Sequence, residues 1–327
     1  MKGPDDVADL IQRFLNQDRY ALARLITLVE NDPAAARNIL RRLHGFSHGS
    51  YIIGITGSPG AGKSTLINSL AGYLAENGYT VGVISVDPSS PLSGGAFLGD
   101  RIRMRENILN PKVFIRSVAS RGNTGGLANA VYDISLLYDS FGLDFTIIET
   151  VGAGQSEVDI FTLAYTVILV TDPTIGDSVQ VQKAGILEIA DIFLINKSDL
   201  GGDFLKVNLN MMLESAPPVN GWYPPIIRTI ATENKGTAEL FQAIQGHAKH
   251  LKESGALETK KRTNLKQRIQ DILESALYQR VKDKFSIHTT LEQVLEDIIS
   301  GNKDIYSAAA EILQPIFNKI EKIDDED

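Results

Sequence analysis

The sequence predicts an α/β protein in which a mostly parallel sheet is covered by helices, with further helical segments toward both ends of the chain. Seven short apolar runs, mostly separated by helical patterns, predict the sheet, because such alternation is typical of parallel strands buried on both faces. A glycine-rich loop after the first run indicates a ligand site at the carboxyl ends of the strands. The runs are Ile52–Thr56, Thr80–Val86, Val113–Ser117, Phe145–Glu149, Val167–Thr171, Ile192–Asn196 and Ile226–Thr229.

Amphipathic helical patterns flank the sheet region and divide the chain into three predicted parts. Residues 1–48 form a helical extension that is broken at Asp32-Pro33 and ends in a polar loop. Residues 49–256 hold the alternating strands and helices, and residues 257–327 form a helical arm with apolar positions at helical spacing. We expect the apolar stripes of these terminal helices to pack either on the central domain or on a second subunit.

Composition and charge exclude several classes of function. The 327 residues carry a formal net charge of -8, so we expect neither nucleic acid nor an anionic membrane surface as a partner. The absence of cysteine excludes disulfides, thiolate metal sites and cysteine nucleophiles, and it fits a cytoplasmic protein. The apolar runs are far shorter than the roughly 20 residues that span a bilayer. The polar N-terminus does not have the pattern of a signal peptide.

A phosphate-binding loop is predicted where the first strand meets the following helix. The residues fit the pattern G-x-x-x-x-G-K-[ST] in the strand–loop–helix context of a P-loop NTPase. They are Gly57, Ser58, Pro59, Gly60, Ala61, Gly62, Lys63 and Ser64, with Thr65 continuing the same site into the helix. Backbone N–H groups and the helix N-terminus would bind the phosphates. Lys63 would contact the β- and γ-phosphates, and the Ser64 hydroxyl would bind Mg²⁺.

Polar residues at the ends of other runs complete the predicted catalytic side of this site. Asp87 ends the second run, Glu149 ends the fourth, and Asp100 follows a stretch rich in glycine, serine and proline. Each carboxylate can contact Mg²⁺ directly or through water, although Glu149 can also be a surface acid and Asp100 a helix cap. Gly152 can offer its N–H to the γ-phosphate. Gln155 can orient the attacking water or serve as a structural switch residue.

A guanine-reading motif follows the sixth run. A carboxylate at Asp199 can accept hydrogen bonds from N1–H and the N2 amine of guanine, a donor pair that adenine lacks. Asn196 and the aliphatic part of Lys197 would position the base and the loop. After the last run, Ala231 would supply a backbone contact to guanine O6. The sequence order of these motifs predicts GTP hydrolysis by positioning and charge neutralisation.

Longer blocks of the sequence resemble the MeaB/ArgK family of GTPases more specifically than the phosphate loop does. The blocks are Ile55–Leu66, Asp87–Pro91, Gly99–Met104, Arg121-Gly122, Gly125–Leu127, Glu149–Glu157, Gly176–Asp191 and Tyr306–Ala309. The resemblance implies a GTPase chaperone of an adenosylcobalamin-dependent acyl-CoA mutase, chiefly methylmalonyl-CoA mutase. Such a chaperone gates cofactor loading and protects or reactivates the mutase.

The same resemblance implies the ligands, the assembly and a further switch. It implies Mg²⁺ with GTP or GDP, no directly bound cobalamin, a homodimer formed through the C-terminal arm, and a cobalamin adenosyltransferase as an additional partner. The family's phosphate and magnesium residues fall on Lys63, Ser64, Asp87, Asp100 and Glu149. The segment Asp172–Lys183 would signal to the mutase, with Asp177 and Lys183 as its functional residues. Ser178 stands where many members of the family have glutamate, which leaves open how this switch would communicate with the mutase.

Two other functions remain open from the sequence. A nickel-delivery GTPase would bind metal through His44 and His48 or through His247 and His250, although we expect these to be surface histidines. A nucleotide-gated scaffold would bind GTP and scarcely hydrolyse it.

Overall fold

A computed structural model describes residues 6–87, 107, 109–119, 124–150, 162–174, 190–215, 218, 220–284 and 294–324. Seven strands lie in one sheet. They are β1 (Tyr51–Gly57), β2 (Val81–Asp87), β3 (Val113–Ala119), β4 (Phe145–Glu149), β5 (Thr166–Thr171), β6 (Ile192–Ile195) and β7 (Ile226–Arg228). The main helices are α1 (Val7–Leu15), α2 (Arg19–Asn31), α3 (Pro33–Leu43), α4 (Lys63–Glu76), α5 (Thr124–Phe141), α6 (Asp203–Ser215), α7 (Thr237–Glu253), α8 (Ala256–Lys284) and α9 (Ile305–Asp324).

The sheet confirms the predicted fold class. Its strand order is β3-β2-β4-β1-β5-β6-β7, and every neighbouring pair is parallel. Each strand overlaps one of the predicted apolar runs, with ends that differ by no more than two residues. Because all strands run the same way, their carboxyl ends share one edge, and the predicted motifs follow β1, β2, β4 and β6 at that edge.

Apolar side chains on both faces of the sheet build the core. On one face, α4 and α7 pack on the central strands through a cluster that includes Leu66, Leu70 and Phe241. Burying a side chain of this size stabilises the fold by about 1.5–3 kcal/mol. The other face carries α5, whose Val131 and Ile134 belong to a second cluster. This arrangement confirms the predicted helical cover over a buried parallel sheet.

The N-terminal helices pack within the same chain. Leu10, Phe14 and Leu25 are fully buried in one cluster with Ile134 of α5. The sequence left two possibilities for the terminal helices: packing on the central domain or packing on a second subunit, which the family resemblance favoured. For α1–α3 the structure shows packing on the central domain of the same chain. Asp32 separates α2 from α3 by accepting hydrogen bonds from the first N–H groups of α3, as the break in the sequence pattern predicted.

The chain divides into two compact units, Met1–Arg262 and Thr263–Asp327. The boundary lies inside α8, since this helix begins in the first unit and continues into the second. The division into parts at residues 48 and 256 stays a prediction. Within the described ranges, no helix is both long enough and apolar enough to cross a membrane.

Candidate nucleotide-binding site

The loop between β1 and α4 has the backbone that the phosphate motif requires. Gly57 has a φ of 142°, and a Cβ atom there would lie 2.0 Å from the carbonyl oxygen of Val170 on β5. Gly62 has a φ of 88°, and its Cβ would lie 2.3 Å from Asn196 Nδ2. Side chains at these two positions would therefore collide with neighbouring strands or loops. Glycine lets the loop pass directly beside β5 and the loop that follows β6.

Lys63, the first residue of α4, is buried beneath this loop. Its Nζ donates hydrogen bonds to the carbonyl oxygens of Gly57 at 2.7 Å and Ser58 at 3.1 Å. A buried ammonium group requires such acceptors, because burial without them would be costly. The arrangement places a positive charge against the loop that precedes the α4 N-terminus, and a helix N-terminus is suited to anions.

Glu149 receives two hydroxyl hydrogen bonds at the end of β4. Ser64 Oγ donates to Oε1 at 2.7 Å, and Ser85 Oγ donates to Oε2 at 2.9 Å. Glu149 is buried, with an exposed fraction of 4%, so the alternative of a surface acid is wrong. Ser85 was not predicted as a site residue. It lies on β2 directly opposite Glu149 in the strand register, and it is a polar residue within an otherwise apolar run.

Of the other predicted catalytic and switch residues, the structure describes only Asp87. Asp87 is the last residue of β2, at the same edge of the sheet as Glu149. Asp100, Gly152, Gln155, Asp177 and Lys183 lie outside the described residues.

Asn196 joins the base-reading motif to two other loops. Its Nδ2 donates to the Ala61 carbonyl of the phosphate loop at 2.9 Å. Its Oδ1 accepts from Thr229 Oγ1 at 3.1 Å and from the Ala231 N–H at 3.2 Å. The sequence had assigned Ala231 to guanine O6, so that contact requires this hydrogen bond to open. Thr229 was not predicted as a site residue, because only the fold brings the end of β7 beside Asn196.

Asp199 lies in an exposed turn, Ser198–Leu200, immediately after Lys197. Lys197 has a left-handed backbone with a φ of 52°. Its ammonium group forms an ion pair with Asp172, the residue that follows β5. The exposed residue Asp199 therefore lies in a turn whose preceding residue, Lys197, is paired with a buried carboxylate.

The two predicted histidine pairs differ in their surroundings. His247 is buried rather than on the surface as expected: it contacts Thr166 Oγ1 at 2.9 Å and lies 3.4 Å from Asp191. Burial, with the nearby positive charge of Lys260, lowers the pKa of His247 to about 3, so the ring stays neutral. Among the residues that the structure describes, no three His, Asp or Glu side chains are grouped to hold a metal.

The fold and the site together define a P-loop GTPase. A family model described as Methylmalonyl Co-A mutase-associated GTPase MeaB matches residues 22–286. The chain therefore belongs to the MeaB family of mutase-associated GTPases.

Similar proteins agree with this class along nearly the whole chain. A putative GTPase of Pyrococcus abyssi is 46% identical over 95% of this chain and 97% of its own length. The mitochondrial methylmalonic aciduria type A homolog of Caenorhabditis elegans is 32% identical over 94% of this chain and 82% of its own. A crystal structure of an LAO/AO transport system kinase, 25% identical, superposes with a TM-score of 0.69 over 97% of this chain and 99% of that one.

Proposed function

We propose that this GTPase is a chaperone of an adenosylcobalamin-dependent acyl-CoA mutase, in the first place methylmalonyl-CoA mutase. It would gate loading of the cofactor and protect or reactivate the mutase without binding cobalamin itself. The observation that carries the proposal is the match of residues 22–286 to a mutase-associated family model. The name of the Caenorhabditis elegans relative supports the same partner. By the same family resemblance, a cobalamin adenosyltransferase is a further partner.

The phosphate loop supplies the first part of the proposed mechanism. The Lys63 ammonium group now donates to the carbonyls of Gly57 and Ser58 and would exchange these partners for phosphate oxygens. N–H groups of residues 57–65 would bind the remaining oxygens at the start of α4. The substrate's negative charge is neutralised here before the terminal phosphoryl group is transferred to water.

The hydroxyl and carboxylate groups beside this loop fit Mg²⁺. Ser64 and Glu149 bring hard oxygen donors within 2.7 Å of each other in a buried setting. We assign the metal to Ser64 and Glu149 together with Asp87 and Asp100. When bound, the ion neutralises charge that develops on the phosphate oxygens. Ser85 orients the second oxygen of Glu149.

Two residues named from the sequence complete the hydrolytic step. The Gly152 N–H would contact the γ-phosphate and so report its loss. Gln155 would orient the attacking water. At the other end of the nucleotide, Asp199 would read the guanine edge, while Asn196 ties the base-reading motif to the phosphate loop.

Hydrolysis measured with and without the mutase tests the proposal. Purified protein and GTP are incubated alone and with an adenosylcobalamin-dependent acyl-CoA mutase from the same organism. We expect slow hydrolysis alone and at least severalfold stimulation by the mutase. Lys63→Ala should abolish both rates, and Lys183→Ala should retain the slow rate and lose the stimulation. GTP hydrolysis with neither stimulation nor a detectable complex would contradict the chaperone proposal while leaving the GTPase assignment intact.

A further inference from the structure

A buried carboxylate beside the base-reading motif has a defined set of partners. Asp172 follows β5 and has an exposed fraction of 1%. Its Oδ1 accepts hydrogen bonds from the N–H and the hydroxyl of Thr174 at 2.7 and 2.6 Å. Its Oδ2 forms the ion pair with Lys197 Nζ. Burying a carboxylate is costly unless it is paired and hydrogen-bonded, so the fold retains this group at an energetic cost that its partners must offset.

The partner of this carboxylate has an unfavourable backbone conformation. Lys197 is one of four residues other than glycine with positive φ in the part of the chain that the structure describes. A left-handed conformation costs a residue of this kind about 1–3 kcal/mol and persists where the surroundings enforce it. Lys197 connects Asn196, which is hydrogen-bonded to the phosphate loop, to the turn that contains Asp199.

Backbone hydrogen bonds fix the two sides of this turn. The Asn196 N–H donates to Thr171 O at 2.9 Å, and the Ser198 N–H donates to Thr229 O at 3.1 Å. The Lys197 side chain is 37% exposed, while that of Asp172 is fully buried. The long lysine side chain therefore runs from the surface inward and is held at its charged end. A side chain ordered in advance loses less conformational freedom when a ligand binds against it.

Asp172 carries the negative charge that its ion pair with Lys197 requires. Burial acts to raise the pKa of Asp172, but hydrogen bonds from Lys197 and Thr174 outweigh burial and lower this pKa below its usual value. The carboxylate is thus ionised at neutral pH and keeps the ammonium group of Lys197 in place.

We infer that Asp172 is a positioning residue for guanine recognition. By holding Lys197 Nζ, it fixes the aliphatic part of Lys197 and the left-handed turn from which Asp199 projects. Asp172 does not contact the nucleotide; it acts through Lys197. This inference rests on the proposed base-reading role of Asn196, Lys197 and Asp199.

Calorimetric titration with GDP and with pyrophosphate, which has no base, distinguishes a loss of guanine recognition from a general loss of folded structure. Asp172→Asn keeps the size of the side chain and an acceptor for Thr174 but removes the charge. We expect its Kd for GDP to rise about 10-fold, since charge-assisted hydrogen bonds are stronger than neutral ones. Its Kd for pyrophosphate should not change. Asp172→Glu should restore part of the GDP affinity.

A double-mutant cycle tests whether Asp172 acts through Lys197. Lys197→Met removes the ammonium group and keeps most of the aliphatic chain, so it should weaken GDP binding about as much as Asp172→Asn. The double variant should be no weaker than either single variant, because both remove one interaction. Asp9→Asn is the matched control: it removes an exposed carboxylate that pairs with Arg13 within α1. It should leave the Kd for GDP unchanged.

Three results would overturn the inference. The first is an equal Kd for GDP in Asp172→Asn and the wild type. The second is a joint loss of GDP affinity, pyrophosphate affinity and Tm, which indicates a purely structural pair. The third is additive losses of binding free energy in the double-mutant cycle. Should Asp172→Asn fail to fold, the GDP-to-pyrophosphate ratio of Lys197→Met decides the same point. A wild-type protein that binds pyrophosphate and not GDP would instead refute the proposed guanine site itself.

Discussion

Lys63 carries a positive charge in the interior of the phosphate loop. The Lys63→Ala variant loses this charge, and we expect its Kd for GDP to rise about 10- to 100-fold, the range for losing a hydrogen bond to a charged group. Calorimetry measures the affinity. Lys249→Ala removes an exposed lysine from α7 and serves as the control. Unchanged GDP affinity in Lys63→Ala would contradict the phosphate assignment.

In the proposed site, Asp199 would determine the choice of base. Its carboxylate would accept two guanine hydrogen bonds, whereas the amide of Asp199→Asn can accept only one and presents a donor beside it. We expect the variant to lose affinity for GTP and to gain affinity for xanthosine triphosphate, whose C2 carbonyl accepts a hydrogen bond. Competition between the two nucleotides measures this selectivity. An unaltered preference for GTP would remove Asp199 from base recognition.

The residues of the site were predictable to different degrees. Lys63, Glu149 and Asn196 were named from the sequence because each belongs to a motif with fixed spacing. Ser85 could not be assigned in the same way, since its contact with Glu149 exists only because β2 lies beside β4. The contact of Asp172 with Lys197 likewise depends on β5 lying beside β6. Sequence motifs therefore predicted the residues that would contact the nucleotide. The supporting residues Ser85 and Asp172 could be found only from the order of the strands.

Among the structural elements, the junction of β1 and the phosphate loop tolerates the least change. In Gly57→Ala the added methyl group would meet the backbone of Val170, so β1 and β5 would have to separate. We expect the free energy of unfolding in urea to fall by more than the roughly 1–3 kcal/mol of a strained backbone alone. Gly78→Ala is the control, because its φ is +95° and no atom lies within 4 Å of the added carbon. Equal losses in both variants would contradict the steric explanation.

The N-terminal helices contribute directly to stability in the structure described here. Leu25 of α2 is fully buried, whereas Leu15 at the end of α1 has an exposed fraction of 38%. Leu25→Ala should therefore lower the free energy of unfolding by about 2–5 kcal/mol. Leu15→Ala should lower it by less than about 1 kcal/mol. Equal, small losses would show that α2 does not share the core of the sheet.

The elements themselves were largely predictable, and their arrangement was not. Every strand coincides with an apolar run that is bounded by polar or turn residues, so its position could be predicted from the sequence. The strand order and the packing of α1–α3 on α5 depend on contacts between distant parts of the chain, which local patterns do not determine. His247 shows the same limit: its polar side chain suggested the surface, but the buried Thr166 provides a partner inside the fold.

At the scale of the whole molecule, the family resemblance implies a homodimer, and we expect α8 to provide its contact surface. Five of its large apolar side chains are exposed in the single chain, with fractions of 46–65%. They are Leu265, Ile269, Ile272, Leu273 and Leu277. Large exposed apolar surfaces mark association sites.

A charge within this stripe should prevent association. We expect the wild type to sediment as a dimer and Leu273→Glu to sediment as a folded monomer with an unchanged helical circular-dichroism signal, because this side chain is exposed in the single chain. Its Tm should fall and lose its dependence on protein concentration, since association stabilises the folded state. Glu274→Gln, at an adjacent exposed position, should remain dimeric. A monomeric wild type in analytical ultracentrifugation would contradict the proposed arm.

We propose that one site at the carboxyl edge of the sheet binds and hydrolyses a guanine nucleotide. Hydrolysis of GTP and of ATP by the same preparation, at equal concentrations and in the presence of Mg²⁺, tests it most directly. We expect phosphate release from GTP, scarcely any from ATP, and none from either nucleotide in Lys63→Ala. Equal rates with ATP, or GTP hydrolysis that survives in Lys63→Ala, would contradict it.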